Sequence, residues 1–325
     1  MLATKANDSQ AVTCLIKEKN ANVDAADANG FTPLHWASYY GFLQVAKVLV
    51  TNGANIEVKD IDYGRSPLIL AAQYGKLAIV QFLIGKGVVV DAADTNGFTP
   101  LMYASSYGHI KVVERLIESG ASIEIKDIEG NTPLIWASYN GHVKVVEQLI
   151  ESGASIEIKG YKGGTAFYWA SSQGHLEVVK VLAASGSNIE AKDNVGKSPI
   201  IVAAENGKLA IVQFLIEKGV LVDDADNNGY TPLIYASSNG HIKVVEQLIQ
   251  SGASIEIKDS IGGTAFYWAS SQGHLEVVKV LAANGSNIEA KDNVGKSPIN
   301  IAAENGHDDV VQFLKQEGVI PSKYY

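Results

Sequence analysis

Seven histidines, one cysteine and a set of glycine-rich turns are the residues here whose types could do chemistry. His109, His142, His175, His241, His274 and His307 each follow a glycine, and His35 completes Thr32-Pro33-Leu34-His35. Imidazoles serve as metal ligands and general bases. Six of them at one recurring place have the distribution of a structural position, each bonding backbone at a helix start. Cys14 is the sole thiol, which excludes an intramolecular disulfide framework and every multi-cysteine zinc or iron–sulfur site. No triad pattern surrounds it, and its place on the apolar side of a short helix predicts a buried thiol. Gly160-Tyr161-Lys162-Gly163-Gly164 lacks the Gly-Lys-Ser/Thr ending of a phosphate-cradling loop. Gly196-Lys197-Ser198 has that ending but no glycine five residues upstream, and Pro199 follows as a helix start. Glu124, Asp127, Glu157 and Glu190 recur as solvated, alternating charges, with no pair distinct enough to act as acid and base. No enzymatic activity, cofactor or metal is expected.

All of these residues sit on a repeat. Thr32-Pro33-Leu34 returns as Thr99-Pro100-Leu101, Thr132-Pro133-Leu134 and Thr231-Pro232-Leu233. Ser66-Pro67-Leu68, Ser198-Pro199-Ile200 and Ser297-Pro298-Ile299 are variants, and Thr165-Ala166-Phe167 and Thr264-Ala265-Phe266 lose the proline. Neighbours are 33 residues apart, except for 34 between Pro33 and Pro67. Each copy opens with a turn such as Asp127-Ile128-Glu129-Gly130. Thr or Ser then caps a helix that Pro starts. The first helix is expected over Leu134 to Ser138 and stops at Gly141. A second follows from His142 to Glu151, with Val143, Val145, Val146, Leu149 and Ile150 on its buried side. Gly153 ends it, and an extended arm, Ala154 to Lys159, leads to the next turn. Helices this short need neighbouring copies to cover their apolar faces.

This grammar resembles that of the ankyrin repeat family. Gly30-Phe31-Thr32-Pro33-Leu34-His35-Trp36-Ala37 is close to the family's opening motif, and Gly108-His109-Ile110-Lys111-Val112-Val113 to its second-helix opening. The other copies replace the opening His with Ile69, Met102, Ile135, Tyr168, Ile201, Ile234, Tyr267 and Asn300, so their first-helix hydrogen bonding must differ. The expected fold is an all-α ankyrin-repeat solenoid of helix-turn-helix units with β-hairpin or turn connections, in about ten repeats. The expected organisation is a single domain over 1–325. It comprises an N-terminal partial repeat (1–29), internal repeats (30–291), a C-terminal capping repeat (292–319) and a tail (320–325). Asp308, Asp309 and Lys315 give that last repeat the polar outer face of a solenoid end.

Composition agrees with a packed chain. It is 46% hydrophobic and 19% charged, which argues against wholesale disorder. The net charge of −9 disfavours general affinity for nucleic acid or anionic membrane. No apolar run is long enough to span a bilayer. The single cysteine fits a reducing, cytoplasmic setting. Residues 163–200 and 262–299 are identical except that Ser185 becomes Asn284, and Gly75–Gly97 returns in close form as Gly207–Gly229. Such block copying fits a recently expanded scaffold or an engineered one.

The remaining function class is a binding surface. The resemblance implies contacts at turn tips and on the concave face of the first helices. Residues at i, i+3 and i+4 share that face: Trp36, Tyr39, Tyr40; Leu70, Gln73, Tyr74; Tyr103, Ser106, Tyr107; Trp136, Tyr139, Asn140. From Trp169 onward the last two places of each triple hold only Ser, Glu, Gln or Asn. Tyr, Trp and Arg bury large area at low entropic cost and are enriched at binding hot spots. The candidate partner site is therefore Phe31, Trp36, Tyr39, Tyr40, Arg65, Tyr74, Phe98, Tyr103, Tyr107, Trp136 and Tyr139. The tryptophans have a second reading as inter-repeat packing, because every aromatic at this place is followed two residues later by Ser. The partner expected is a protein, with no nucleic acid, membrane insertion or small-molecule substrate. A spacer, a designed scaffold without a native partner and the interaction region of a larger enzyme are the alternatives.

Overall fold

The computed structural model describes residues 1–320, and the expected tail lies outside them from Pro321 onward. They fall into two compact units, Met1–Tyr161 and the part from Lys162 on. The first unit pairs α1 (Leu2–Lys5) with α2 (Ser9–Lys19), α3 (Pro33–Tyr40) with α4 (Leu43–Thr51), α5 (Pro67–Gln73) with α6 (Leu77–Ile84), α7 (Pro100–Ser106) with α8 (Ile110–Glu118), and α9 (Pro133–Tyr139) with α10 (Val143–Glu151). The second unit pairs α11 (Ala166–Gln173) with α12 (Leu176–Ala184), α13 (Pro199–Glu205) with α14 (Leu209–Glu217), α15 (Pro232–Ser238) with α16 (Ile242–Gln250), α17 (Ala265–Ser271) with α18 (Leu275–Ala283), and α19 (Pro298–Glu304) with α20 (Asp308–Gln316).

The pair α9–α10 shows how the sequence writes a repeat. Thr132 is extended, and its hydroxyl accepts from the Ile135 N–H while Pro133 fills the first helical position. Gly141, at φ +77°, reverses the chain, and the His142 N–H bonds the Ala137 carbonyl at 2.9 Å. α10 then buries Val145, Val146 and Leu149, while Val143 and Ile150 are half-buried. The connections are turns. The Asp127 N–H bonds the Asn131 carbonyl at 3.1 Å, and the Gly130 N–H bonds the Asp127 carbonyl at 3.0 Å. That pair makes a hairpin tip, yet no strand forms among the described residues.

Within each unit first helices stack on first helices and second on second, so Leu34, Leu68, Leu101 and Leu134 close one continuous core. The histidines stitch that stack. His109 Nε2 donates to the Gln73 carbonyl and His142 Nε2 to the Ser106 carbonyl, both at 2.9 Å. His241, His274 and His307 do the same at Glu205, Ser238 and Ser271 in the second unit. Their acceptor is at the end of the preceding copy's first helix, so the bond joins repeats rather than capping the histidine's own helix.

Cys14 is exposed, not buried as its sequence position predicts. In internal copies the covered places of this helix are those of Ile211, Val212 and Leu215, whereas Phe214, which aligns with Cys14, is half-buried. Leu15, aligned with Leu215, is also exposed, and only Val12 of α2 is buried. The Cys14 thiol donates to Glu18 Oε2 at 3.2 Å. That carboxylate pushes the thiol up, the reverse of what activates a nucleophilic cysteine.

Candidate functional site

The first-helix face of the first unit gathers most of the predicted residues into two aromatic groups. In the first, Phe31 meets Trp36 at 5.1 Å between ring centroids, and Trp36 meets Tyr39 edge-on and Tyr40 stacked, both at 5.9 Å. Tyr39 reaches the next repeat, with its ring 4.3 Å from that of Tyr74. In the second, Phe98 contacts Tyr103 at 5.2 Å and Trp136 at 5.0 Å, and Trp136 contacts Tyr139 edge-on at 6.0 Å. Tyr107 stands between the groups. Its hydroxyl accepts from Gln73 Nε2 at 3.3 Å, and its ring stacks near His109. Three of these phenols are open to solvent: Tyr40 at 41%, Tyr74 at 37% and Tyr107 at 52%. Phe31 is buried, and Trp36, Tyr39, Phe98, Tyr103, Trp136 and Tyr139 are half-buried.

Trp36, Trp136 and Trp268, with Tyr103 and Tyr235 in their register, have a local task. Trp36 Nε1 donates to Asp27 Oδ2 at 3.1 Å, Trp136 Nε1 to Asp127 Oδ2 at 2.8 Å and Trp268 Nε1 to Asp259 Oδ2 at 2.6 Å. Tyr103 and Tyr235 hydroxyls donate likewise to Asp94 and Asp226. Each bond ties a helix face to the aspartate of its own turn. Burial, and then the carboxylate it donates to, raises the Tyr103 phenol well above the ordinary value. Tyr74 is raised too, chiefly by burial and then by Tyr39.

Arg65 is committed to its own turn. Its Nε bonds Asp60 Oδ2 at 2.7 Å, while Asp60 Oδ1 accepts from the N–H groups of Tyr63 and Arg65. Burial opposes ionisation of Asp60, but these donors and the guanidinium outweigh it and hold the carboxyl below its usual value. The guanidinium also lies 5.6 Å from the Phe31 ring and 4.7 Å from that of Tyr63. His35 is buried and fully engaged. Its Nδ1 accepts from the Thr32 N–H and its Nε2 donates to the Arg65 carbonyl, both at 3.0 Å. Burial lowers its affinity for a second proton. In copies lacking this His, a hydroxyl such as Thr99 or Thr132 caps the helix N–H directly.

In the second unit the same register carries amide and hydroxyl seams. Asn206 Nδ2 donates to Ser172 Oγ at 3.3 Å, and Asn305 Nδ2 to Ser271 Oγ at 3.2 Å. Sequence reasoning missed the exposed apolar residues at turn tips, Ile61, Tyr63 and Ile128 in the first unit and Val195, Ile261 and Val294 in the second. Their signal was an apolar residue inside a turn that would otherwise be polar. Among the described residues no group of His, Cys, Asp and Glu could hold a metal ion, and no helix is long and apolar enough to cross a membrane.

A family model described as "Ankyrin repeats (3 copies)" matches residues 1–60, 56–127, 124–193, 185–259 and 257–323. Similar proteins include a glycerophosphocholine phosphodiesterase of Schizosaccharomyces pombe, 36% identical over 24% of this chain and 7% of its own length. A palmitoyltransferase of Lachancea kluyveri is 47% identical over 17% of this chain and 7% of its own. The human ankyrin repeat and KH domain-containing protein 1 is 34% identical over 27% of this chain and 4% of its own. The chain thus matches only a small part of each of these relatives.

Proposed function

Because the chain belongs to the ankyrin-repeat family along its length, we propose that it is a non-catalytic interaction module that takes a protein partner on the aromatic first-helix face of its first unit, residues 31–140. The observation that carries this is the exposure of Tyr40, Tyr74 and Tyr107 in one register, beside rings that already touch across repeats. The same register of the second unit offers Gln173, Asn206, Asn239, Gln272 and Asn305. Exposed tyrosines hold large apolar area ready at little entropic cost, whereas these amides do not, and Asn206 and Asn305 are spent in seams. The same reading treats residues 1–325 as one repeat domain with capping copies at 1–29 and 292–319, working in the cytoplasm. The enzyme names of two relatives favour a second form of it, in which such a module serves a catalytic region of a larger protein.

The test replaces Tyr39, Tyr74, Tyr107 and Tyr139 together with Ser and compares capture of partners with that by the unaltered chain. The reading expects specific capture to fall at least tenfold while the helical circular dichroism stays the same. Undiminished capture by a folded variant would place the site elsewhere.

A further inference from the structure

Lys5, the last residue of α1, lays its ammonium 3.7 Å from the centroid of the Trp36 ring. It precedes Ala11-Val12 by the spacing at which Tyr39 precedes Val45-Ala46, so it holds the place of Tyr39 in the first, shortened copy. The ring it covers belongs to the group in which Tyr39, Tyr40 and Tyr74 are assembled. A second cation, Arg65, lies 5.6 Å from the ring of Phe31, which touches Trp36. The cluster therefore already holds positive charge against its Trp36 ring, with a second cation close by. Aromatic faces attract cations through their quadrupole. Here the attraction is reinforced by Asp27, whose carboxylate accepts from the Trp36 indole, and by a chain of net charge −9. The Lys5 side chain is exposed, so competition for this ring needs no unfolding.

We propose that the Trp36–Tyr39–Tyr40–Tyr74 cluster is a receptor for a lysine side chain of the partner protein, and that Lys5 is its resident, displaceable occupant. This rests on the interaction reading above and narrows it to a partner presenting a basic segment. Lys5 acts as an internal competitor. Removing its charge frees the Trp36 face and raises affinity for an incoming ammonium by the worth of one exposed cation–π contact, about two- to five-fold.

The probe is N-acetyl-lysine methylamide, with the norleucine analogue as its uncharged counterpart. Binding is followed by NMR at the Trp36 indole N–H, and the Trp268 indole, which has the same bond to its turn aspartate, is the internal control. The lysine probe should shift Trp36 and leave Trp268 in place, with the norleucine analogue much weaker. Lys5→Gln should tighten the lysine probe about two- to five-fold. Tyr40→Leu with Tyr74→Leu, which leave the Trp36–Asp27 bond alone, should abolish the shift in an otherwise unchanged spectrum. Equal binding of both probes, equal shifts at Trp36 and Trp268, or unchanged affinity in Lys5→Gln would each overturn the proposal. If capture still depends on the four tyrosines in that event, the interaction reading stands and only its cationic chemistry falls.

Discussion

Ser38, Ser105, Ser138 and Ser237 each follow an aromatic by two residues and bury a hydroxyl that makes no hydrogen bond. Ser171, in the same register, returns its hydroxyl to the Phe167 carbonyl at 2.8 Å. A buried polar group left unpaired costs about 1–3 kcal/mol, and Ala occupies this place as Ala72 and Ala204. Ser138→Ala should therefore stabilise the protein by about 1 kcal/mol, read from the thermal midpoint, while Ser171→Ala should give no gain. His35 supplies a pH-dependent counterpart. Its folded-state pKa lies below the unfolded value of about 6.5. As pH falls, the unfolded chain takes up this proton first, so its contribution is present above about pH 6.5 and is lost as pH drops through the folded value. His35→Ile, the residue of four other copies, should lose less stability than the unaltered chain between pH 7.5 and 5. Parallel losses in a denaturant series would remove His35 from the account.

At the scale of the helix pair, Gly75, Gly108, Gly207, Gly240 and Gly273 have two duties, the turn into the second helix and room for the next copy's imidazole. Gly108 sits at φ +74°, and a Cβ there would meet His142 Nδ1 at 2.6 Å, where the imidazole crosses to bond the Ser106 carbonyl. Gly120, at φ +86°, ends a second helix with nothing within 4 Å of such a Cβ. Both positions penalise an L-residue through the backbone, by about 1 kcal/mol. Only Gly108→Ala should add displacement of the histidine stitch, so it should cost at least twice what Gly120→Ala costs, measured by chemical denaturation. Equal costs would mean the stitch carries little. The sequence made the caps, the glycine stops and the buried valines of α10 readable, because each depends on residues within one turn of the chain. It did not make the stitch readable, because the acceptor is a backbone carbonyl with no residue preference, lying 36 positions back. The Trp–Asp ties were hidden in the same way: Trp36, Trp136 and Trp268 each follow an aspartate at one offset, but the bond exists only once the turn folds against the helix. The exposure of Cys14 was not readable either, because its place is only half-covered even in an internal copy, as at Phe214, and the shortened first copy buries only Val12 of α2.

In both units the repeated residues build the stacking of copies, and the departures from repetition set the two units apart. Two stretches of the second unit are copies that differ only at Ser185 and Asn284, so the unit presents one surface twice. In stacks of this kind each copy gains its stability from its immediate neighbours. That leaves outward places of the first helices free to vary, and in the first unit they vary toward exposed tyrosine. The register of those residues could be read from the triples in the sequence. Their solvent exposure, the ring contacts across copies and the ammonium on Trp36 could not, because all three depend on how adjacent helices are spaced. If this tyrosine face is where a partner sits, the contact can be mapped. Crosslinking of a captured partner followed by mass spectrometry tests it most directly. Crosslinks should fall within residues 31–140 and disappear when Tyr39, Tyr74, Tyr107 and Tyr139 become Ser. Crosslinks concentrated beyond Lys162 and unaffected by those substitutions would contradict it.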